Sequence, residues 1–307
     1  MTPKKILMMS IHYPLTMARY FENAFRADPD VELKTCGWYT DNWIPWQGGM
    51  DLDKKYSNKP DIVMGGRDMI GREALYPQVE RELGDWKPDM VLTVDAGIRW
   101  AIKPKVACPV VHVATDPHAL NYDKPRDYSD IFFNMQKVYS KEGDIYLPCA
   151  YDDTWCYPEQ QEKIYDVALI GMPYGQRVSL VNRLRAMGLK VAFENRAIFD
   201  EYRTLNNQAK IGLNWSSLDD LNCRVFEIMG MNLIPVINHV TDLEEHFNED
   251  RHYFKFSNEN EAVSTIQHIL NAGYNDGRYR ADCATGLVHE LHTFKHRVKQ
   301  IMETVWK

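Results

Sequence analysis

Arg224 and Glu227 stand three residues apart in the run Asn222-Cys-Arg224-Val-Phe-Glu227, a pattern that can serve a nucleotide. Asn222 is a helix-capping type, so both side chains fall in the opening turns of a helix. A carboxylate there can accept two ribose hydroxyls, while the arginine and the helix dipole face a diphosphate. An Arg–Glu pair at this spacing is also ordinary surface chemistry, so alone it decides nothing. Just upstream, Lys210-Ile-Gly-Leu-Asn214 reads as a strand that ends in the polar loop holding Ser216 and Asp219. Downstream, Leu233-Ile-Pro235-Val-Ile-Asn238 is a buried run that delivers a polar residue at its carboxyl end. Earlier still, Val167-Ala-Leu-Ile-Gly171-Met-Pro-Tyr-Gly175-Gln-Arg177 reads as strand, glycine turn and helix start. Free N–H groups at such a start suit a phosphate, and Arg177 adds a planar, permanently charged fork. The glycine spacing is not G-x-G-x-x-G, and a tight strand–helix turn explains it equally well.

The first half offers a second set of candidates. Val91-Leu-Thr-Val-Asp95 and Val111-His-Val-Ala-Thr115-Asp116-Pro117-His118 each place an acid at the carboxyl end of a strand. Asp116 and His118 can act on a substrate hydroxyl as base or as positioners, although Asp-Pro is also a common turn starter. His12 and Tyr13 follow the first strand, where a backbone-satisfied turn histidine is the competing reading. Trp38, Tyr39, Trp43 and Trp46 crowd a segment without periodicity, as a stacking platform or as a small satellite core. His289, His292 and His296 have a spacing that can line one helical face and bind zinc, but no fourth ligand is evident. The Asp51-Leu-Asp53 run reads as charged surface, and no metal site is expected.

Short apolar runs alternating with amphipathic stretches must position these residues, and this is the pattern of βαβ units around parallel sheets. Strands are expected near Ile6–Met9, Val31–Thr35, Ile62–Met64, Met90–Val94, Val110–Ala114 and Ile131–Asn134, with helices near Thr16–Ala27 and Ile70–Leu83. Residues 148–163 are polar, proline-bounded and without period, which makes them the best linker. The pattern then restarts with strands at Tyr165–Ile170, Lys190–Phe193, Lys210–Asn214 and Leu233–Ile237, a helix near Arg177–Met187, and a helical end. The expectation is therefore two α/β domains, 1–155 and 156–307, the second keeping the closing helices. A chain of 307 residues with 45% apolar content can fill two such cores.

Bulk charge narrows the function classes. The net charge is −7 and neither half is basic, which argues against a general polyanion binder. Six scattered cysteines, without C-x-x-C, read as reduced thiols. No run approaches the roughly 20 apolar residues of a membrane span, so the expected location is the cytoplasm, without stable membrane insertion.

The run Arg224-Val-Phe-Glu227 resembles the R-x-F-E signature of group 1 glycosyltransferases, in their spore-maturation-protein-like branch. The segments YDVALIG, KIGLN, HYFKF and His292-Thr293-Phe294 with Arg297 are similar to that branch in the same order. The resemblance covers roughly residues 128–300 and is thin before them. It implies the GT-B fold, two Rossmann-like domains facing across a cleft, with a nucleotide-sugar co-substrate held mainly by the second. By this resemblance Glu227 holds the ribose and Arg177 faces the diphosphate; Gly171, Asn214, Ser216, Arg224 and Asn238 are the further donor-site candidates. Asp219 stands where the wider group often carries a glutamate, and Met231-Asn232 replaces small residues, which sets donor preference apart. The implied reaction is metal-independent glycosyl transfer without a bound cofactor, retaining by analogy with the group. The acceptor is open: a glycan, a small molecule, a protein or hydroxymethylated DNA. A nucleotide-sugar epimerase and a non-catalytic two-domain ligand binder are the competing readings.

Overall fold

A computed structural model describes residues 2–44, 49–65 and 73–307. The chain divides into two compact units, Met1–Pro148 with Phe294–Lys307, and Cys149–Thr293.

The first unit is built on a seven-stranded parallel sheet. Its strands, from one edge, are Ile145–Tyr146, Ile131–Asn134, Val110–Ala114, Met90–Val94, Lys4–His12, Val31–Tyr39 and Ile62–Gly65. Ile6, Leu7, Met8 and Met9 are all fully buried, because helices cover both faces of a central parallel strand. Each such side chain adds roughly 1.5–3 kcal/mol over an exposed one. Thr16 caps the Met17–Arg26 helix by accepting from the Ala18 amide at 3.4 Å, and that helix buries Phe21 and Phe25.

The terminal helix Phe294–Val305 belongs to this first unit, which corrects the expected division at 155/156. Its Phe294 ring sits 5.2 Å from Tyr20 and 5.1 Å from Phe21. Arg297 Nε donates to the Pro148 carbonyl at 2.7 Å, and Lys4 lies over the Trp306 ring. The chain thus passes from one unit to the other at 148/149 and returns at 293/294. Sequence position alone misassigned the last helix, because its amphipathic stripe does not say which sheet it covers.

The second unit holds a five-stranded parallel sheet in the order Val191–Ala192, Tyr165–Ala168, Ala209–Asn214, Ile234–Asn238, Phe254–Phe256. Val167, Ile211, Leu213, Ile234 and Val236 form its core with Leu180, Leu184 and Ile266 from the flanking helices. Gly212 lets the Cys223–Gly230 helix approach closely: a Cβ there would lie 2.5 Å from Ile228 Cγ2.

Each sheet has one point where the strand order reverses. In the first unit the chain builds outward from Lys4–His12 to Val31–Tyr39 and Ile62–Gly65, then restarts on the other side at Met90–Val94. In the second it goes from Tyr165–Ala168 to Val191–Ala192, then restarts at Ala209–Asn214. Such reversals open a crevice beyond the carboxyl ends of the two central strands, where open α/β sheets bind ligands.

Candidate functional site

The crevice of the second unit lies beyond Ala168 and Asn214, and it gathers most of the residues singled out there. Gly171 follows the first of these strands with φ 142°, a conformation that favours glycine. A Cβ at this position would collide with the Arg224 guanidinium and lie 3.7 Å from Arg177 Nη1. Both arginines therefore converge on the glycine turn.

Their partners are all neutral. Arg177, on the first turns of the Gly175–Ala186 helix, donates from Nε to the Trp215 carbonyl at 2.7 Å and from Nη1 to the Met172 carbonyl at 3.0 Å. Its guanidinium lies 4.9 Å from the centre of the Tyr174 ring. Burial, together with the Arg224 charge, lowers its pKa to about 10. Arg224 donates from Nη1 to Asn214 Oδ1 at 3.3 Å, while its Nε is buried without a hydrogen-bond partner. Among the described residues no carboxylate hydrogen-bonds either guanidinium, an arrangement that can accept an anion.

The helix start behind them is ordered. Asn222 caps the Cys223–Gly230 helix by accepting from the Arg224 amide at 3.1 Å. Glu227, one turn on, accepts at Oε2 from the Tyr202 hydroxyl at 2.7 Å. Burial raises its pKa, against the Tyr202 hydrogen bond and the Arg224 charge. Asn238 Oδ1 accepts from the Ser216 amide at 2.7 Å and from Asn214 Nδ2 at 3.3 Å, tying the ends of two strands together. Ser216 Oγ donates to the buried Asp220.

Asp219 stands apart from this cluster. It is exposed, and its carboxylate accepts from the amide of Thr241 at 2.8 Å and from its hydroxyl. It staples a loop, and Asp220 is the acid whose charge reaches Arg177. Tyr202 was missed altogether: it sits on the polar helix Asp200–Asn207, where no apolar stripe marks it.

In the first unit the end of the central strand is packed. His12, at its strand end, is fully buried, with Nε2 3.1 Å from Ser10 Oγ and Nδ1 3.5 Å from Asn58 Nδ2. Burial lowers its pKa to about 4, so it is neutral at pH 7. Ile11 is buried against Gly97, where a Cβ would collide with it. Tyr13 is half-buried and packs on the core of this unit. Trp43 is half-buried in the short antiparallel pair Trp43–Ile44/Met50–Asp51, and Trp38 is core. Trp46, Arg67, Asp68 and Arg72 lie outside the described residues.

One acidic group does gather at strand ends beside that plug. Asp95 has φ 70°, a left-handed conformation costly for a residue with a Cβ and frequent at functional sites. It accepts from Tyr122 Oη at 3.1 Å, and the same Tyr122 oxygen accepts from the Thr115 and Asp116 amides at 3.3 and 3.4 Å. Burial and the nearby Asp116 charge raise the pKa of Asp95. Asp116 and His118 are exposed on the following turn, His118 with Nδ1 2.9 Å from Gln136 Oε1. Of the three histidines read as a zinc candidate, His289 has Nδ1 3.2 Å from Tyr151 Oη. His292 packs among the Phe226, Phe247 and His246 rings. The helix breaks at 292–293, so one face does not carry them all.

Residues 157–303 match the family model described as glycosyl transferase-like. No curated protein matches the chain. Solved structures align with it end to end. Sucrose-phosphate synthase from Thermosynechococcus elongatus matches with a TM-score of 0.64 at 12% identity, covering 98% of both chains. Anabaena HepE in complex with UDP and glucose gives 0.65 at 10%, covering 98% of this chain and 99% of that one. The trehalose-6-phosphate protein of E. coli bound with UDP-2-fluoro glucose gives 0.64 at 9%, with the same coverage. Among the described residues no helix is long and apolar enough to cross a membrane. Residues 157–303 are thus a glycosyl transferase-like domain, within a chain that has the GT-B fold of two Rossmann-like sheets.

Proposed function

We propose that the protein transfers a sugar from a nucleoside-diphosphate sugar to an acceptor hydroxyl, and that the crevice of the second unit holds the donor. The observation that carries this reading is the pair Arg177 and Arg224 beside Gly171, with Arg224 Nε buried and unpartnered. A diphosphate supplies the missing acceptors, and the Gly171 turn leaves room for it to come close to the backbone. Glu227, on the same helix as Arg224, takes a ribose hydroxyl.

During transfer the bond between the sugar C1 and the β-phosphate oxygen breaks, and the electron pair leaves with the diphosphate. The two guanidinium groups stabilise that charge, which removes the need for a metal ion. The acceptor oxygen bonds to C1. In a retaining course its proton goes to the departing phosphate oxygen; in an inverting course a carboxylate must take it. We favour retention, with Asp95, Asp116 and His118 orienting the acceptor. The order of segments similar to the spore-maturation-protein-like branch supports placing the chain there. The UDP found in HepE makes UDP the first base to try.

The test is turnover of UDP-, GDP- and ADP-sugars in EDTA, read as released nucleoside diphosphate, with the anomer of the product followed by NMR. Release that is lost in Arg224→Ala supports the donor site. Release that survives in that variant refutes it, and an inverted product refutes retention alone.

A further inference from the structure

The two oxygens of Glu227 are not equivalent. Oε2 accepts from the Tyr202 hydroxyl at 2.7 Å, whereas Oε1 accepts no hydrogen bond among the described residues. We propose that Tyr202 is a positioning residue of the donor site, pinning Oε2 so that Oε1 alone meets a ribose hydroxyl of the bound nucleotide. This rests on the donor reading above.

The local backbone is built to hold that hydroxyl. Tyr202 lies on the first turn of the Asp200–Asn207 helix, entered through Phe199 at φ 49°, a strained value for an aromatic residue. The Phe199 ring lies 4.5 Å from Trp155, and Arg203 next to Tyr202 bonds Glu159, Asp200 and the Trp155 carbonyl. The helix is thus held on both sides of the tyrosine, at Phe199 and Arg203. Tyr202→Phe removes only the hydroxyl and leaves these contacts intact, so the fold is kept.

The hydrogen bond also has an electrostatic role. Burial favours the protonated carboxyl of Glu227, and a hydroxyl donating to the ionised form opposes this. Removing the donor makes Glu227 hold its proton to higher pH, and only the ionised group accepts well from ribose. The loss of affinity in Tyr202→Phe is therefore pH-dependent, whereas a general loosening of the site lowers affinity equally at every pH.

The experiment is calorimetric titration of UDP, GDP and ADP into wild type, Tyr202→Phe, Glu227→Gln and the double variant between pH 6 and 9. In Tyr202→Phe, affinity is expected to fall about tenfold at the acid end and to recover toward wild type at the alkaline end. On the Glu227→Gln background the same substitution is expected to leave the pH dependence unchanged. Binding weakened by Glu227→Gln with an unshifted acid limb in Tyr202→Phe overturns the role of Tyr202 and leaves the donor site standing. Nucleotide binding that is indifferent to Glu227→Gln, or absent in folded wild type, overturns the donor reading and this proposal with it.

Discussion

The two sheets reverse their strand order in the same way, yet the residues that meet at the two reversals differ in kind. In the second unit two arginines converge where Gly171 and Asn214 stand at the ends of the two central strands, with no carboxylate hydrogen-bonded to either among the described residues. In the first the corresponding place holds Ile11 wedged against Gly97 and a fully buried, neutral His12. A parallel sheet supplies the crevice, and the side chains at its rim decide whether it binds. What separates the two is the chemistry at the strand ends: two arginines under the influence of the Asp220 and Glu227 charges in the second unit, apolar packing and a buried neutral imidazole in the first. In the first unit, Asp95, Asp116 and His118 stand at or just beyond the neighbouring strand ends.

The largest effect expected to sharpen this contrast comes from the arginines. Arg224→Ala removes charge-assisted contacts to a diphosphate, and nucleoside diphosphate affinity should fall about 100-fold by calorimetry. Asp95→Asn should leave that affinity within about twofold; a comparable loss there would erase the distinction between the crevices. Next in size, Asp116→Asn should slow transfer by about 10- to 100-fold at saturating donor, with donor affinity unchanged. Wild-type turnover in that variant would remove Asp116 from the acceptor side.

A stability prediction concerns the first unit. His12 and His112 are fully buried, with pKa values lowered by burial to about 4 and about 3. The unfolded chain therefore binds protons that the folded one refuses, and stability falls as pH drops from the ordinary histidine value toward 4. His12 alone costs on the order of 3 kcal/mol by pH 4. His112 stacks on Phe132 with both ring nitrogens unpartnered, so His112→Phe should raise the melting temperature by about 2–4 °C at pH 7. It should also flatten the acid slope. An unchanged slope would mean that His112 is solvated in the folded protein. The smallest effect should come from Asp219→Asn, about twofold on donor affinity, because Asp219 only staples the Thr241 loop. A large loss would return it to the sugar-binding side.

Much of this contrast was legible in the residues. The strands Met90–Val94, Val110–Ala114 and Ile131–Asn134 fall where their continuous apolar runs place them. The Arg224–Glu227 spacing led to the helix start that the structure builds. Polar elements hid better: the helix Asp200–Asn207 offers no apolar stripe, so Tyr202 carried no signal. His12 was read as following the first strand, but that strand runs on through His12, which pairs with Tyr39 and is buried. That Asp219 bonds the Thr241 loop while Asp220 turns to Ser216 depends on loop direction, which adjacent identical residues cannot encode. The partner of the last helix was hidden for a similar reason, since its apolar face fits either sheet.

The measurement that tests the central claim most directly is a thermal-shift titration with UDP, GDP and ADP in EDTA, on wild type and Arg224→Ala side by side. A nucleotide at 100 times its dissociation constant stabilises the folded state by about 2.7 kcal/mol, which is readily seen. The account predicts a selective, EDTA-insensitive shift in wild type that disappears in the variant. A shift of equal size in Arg224→Ala, or none with any nucleotide in folded wild type, would contradict it.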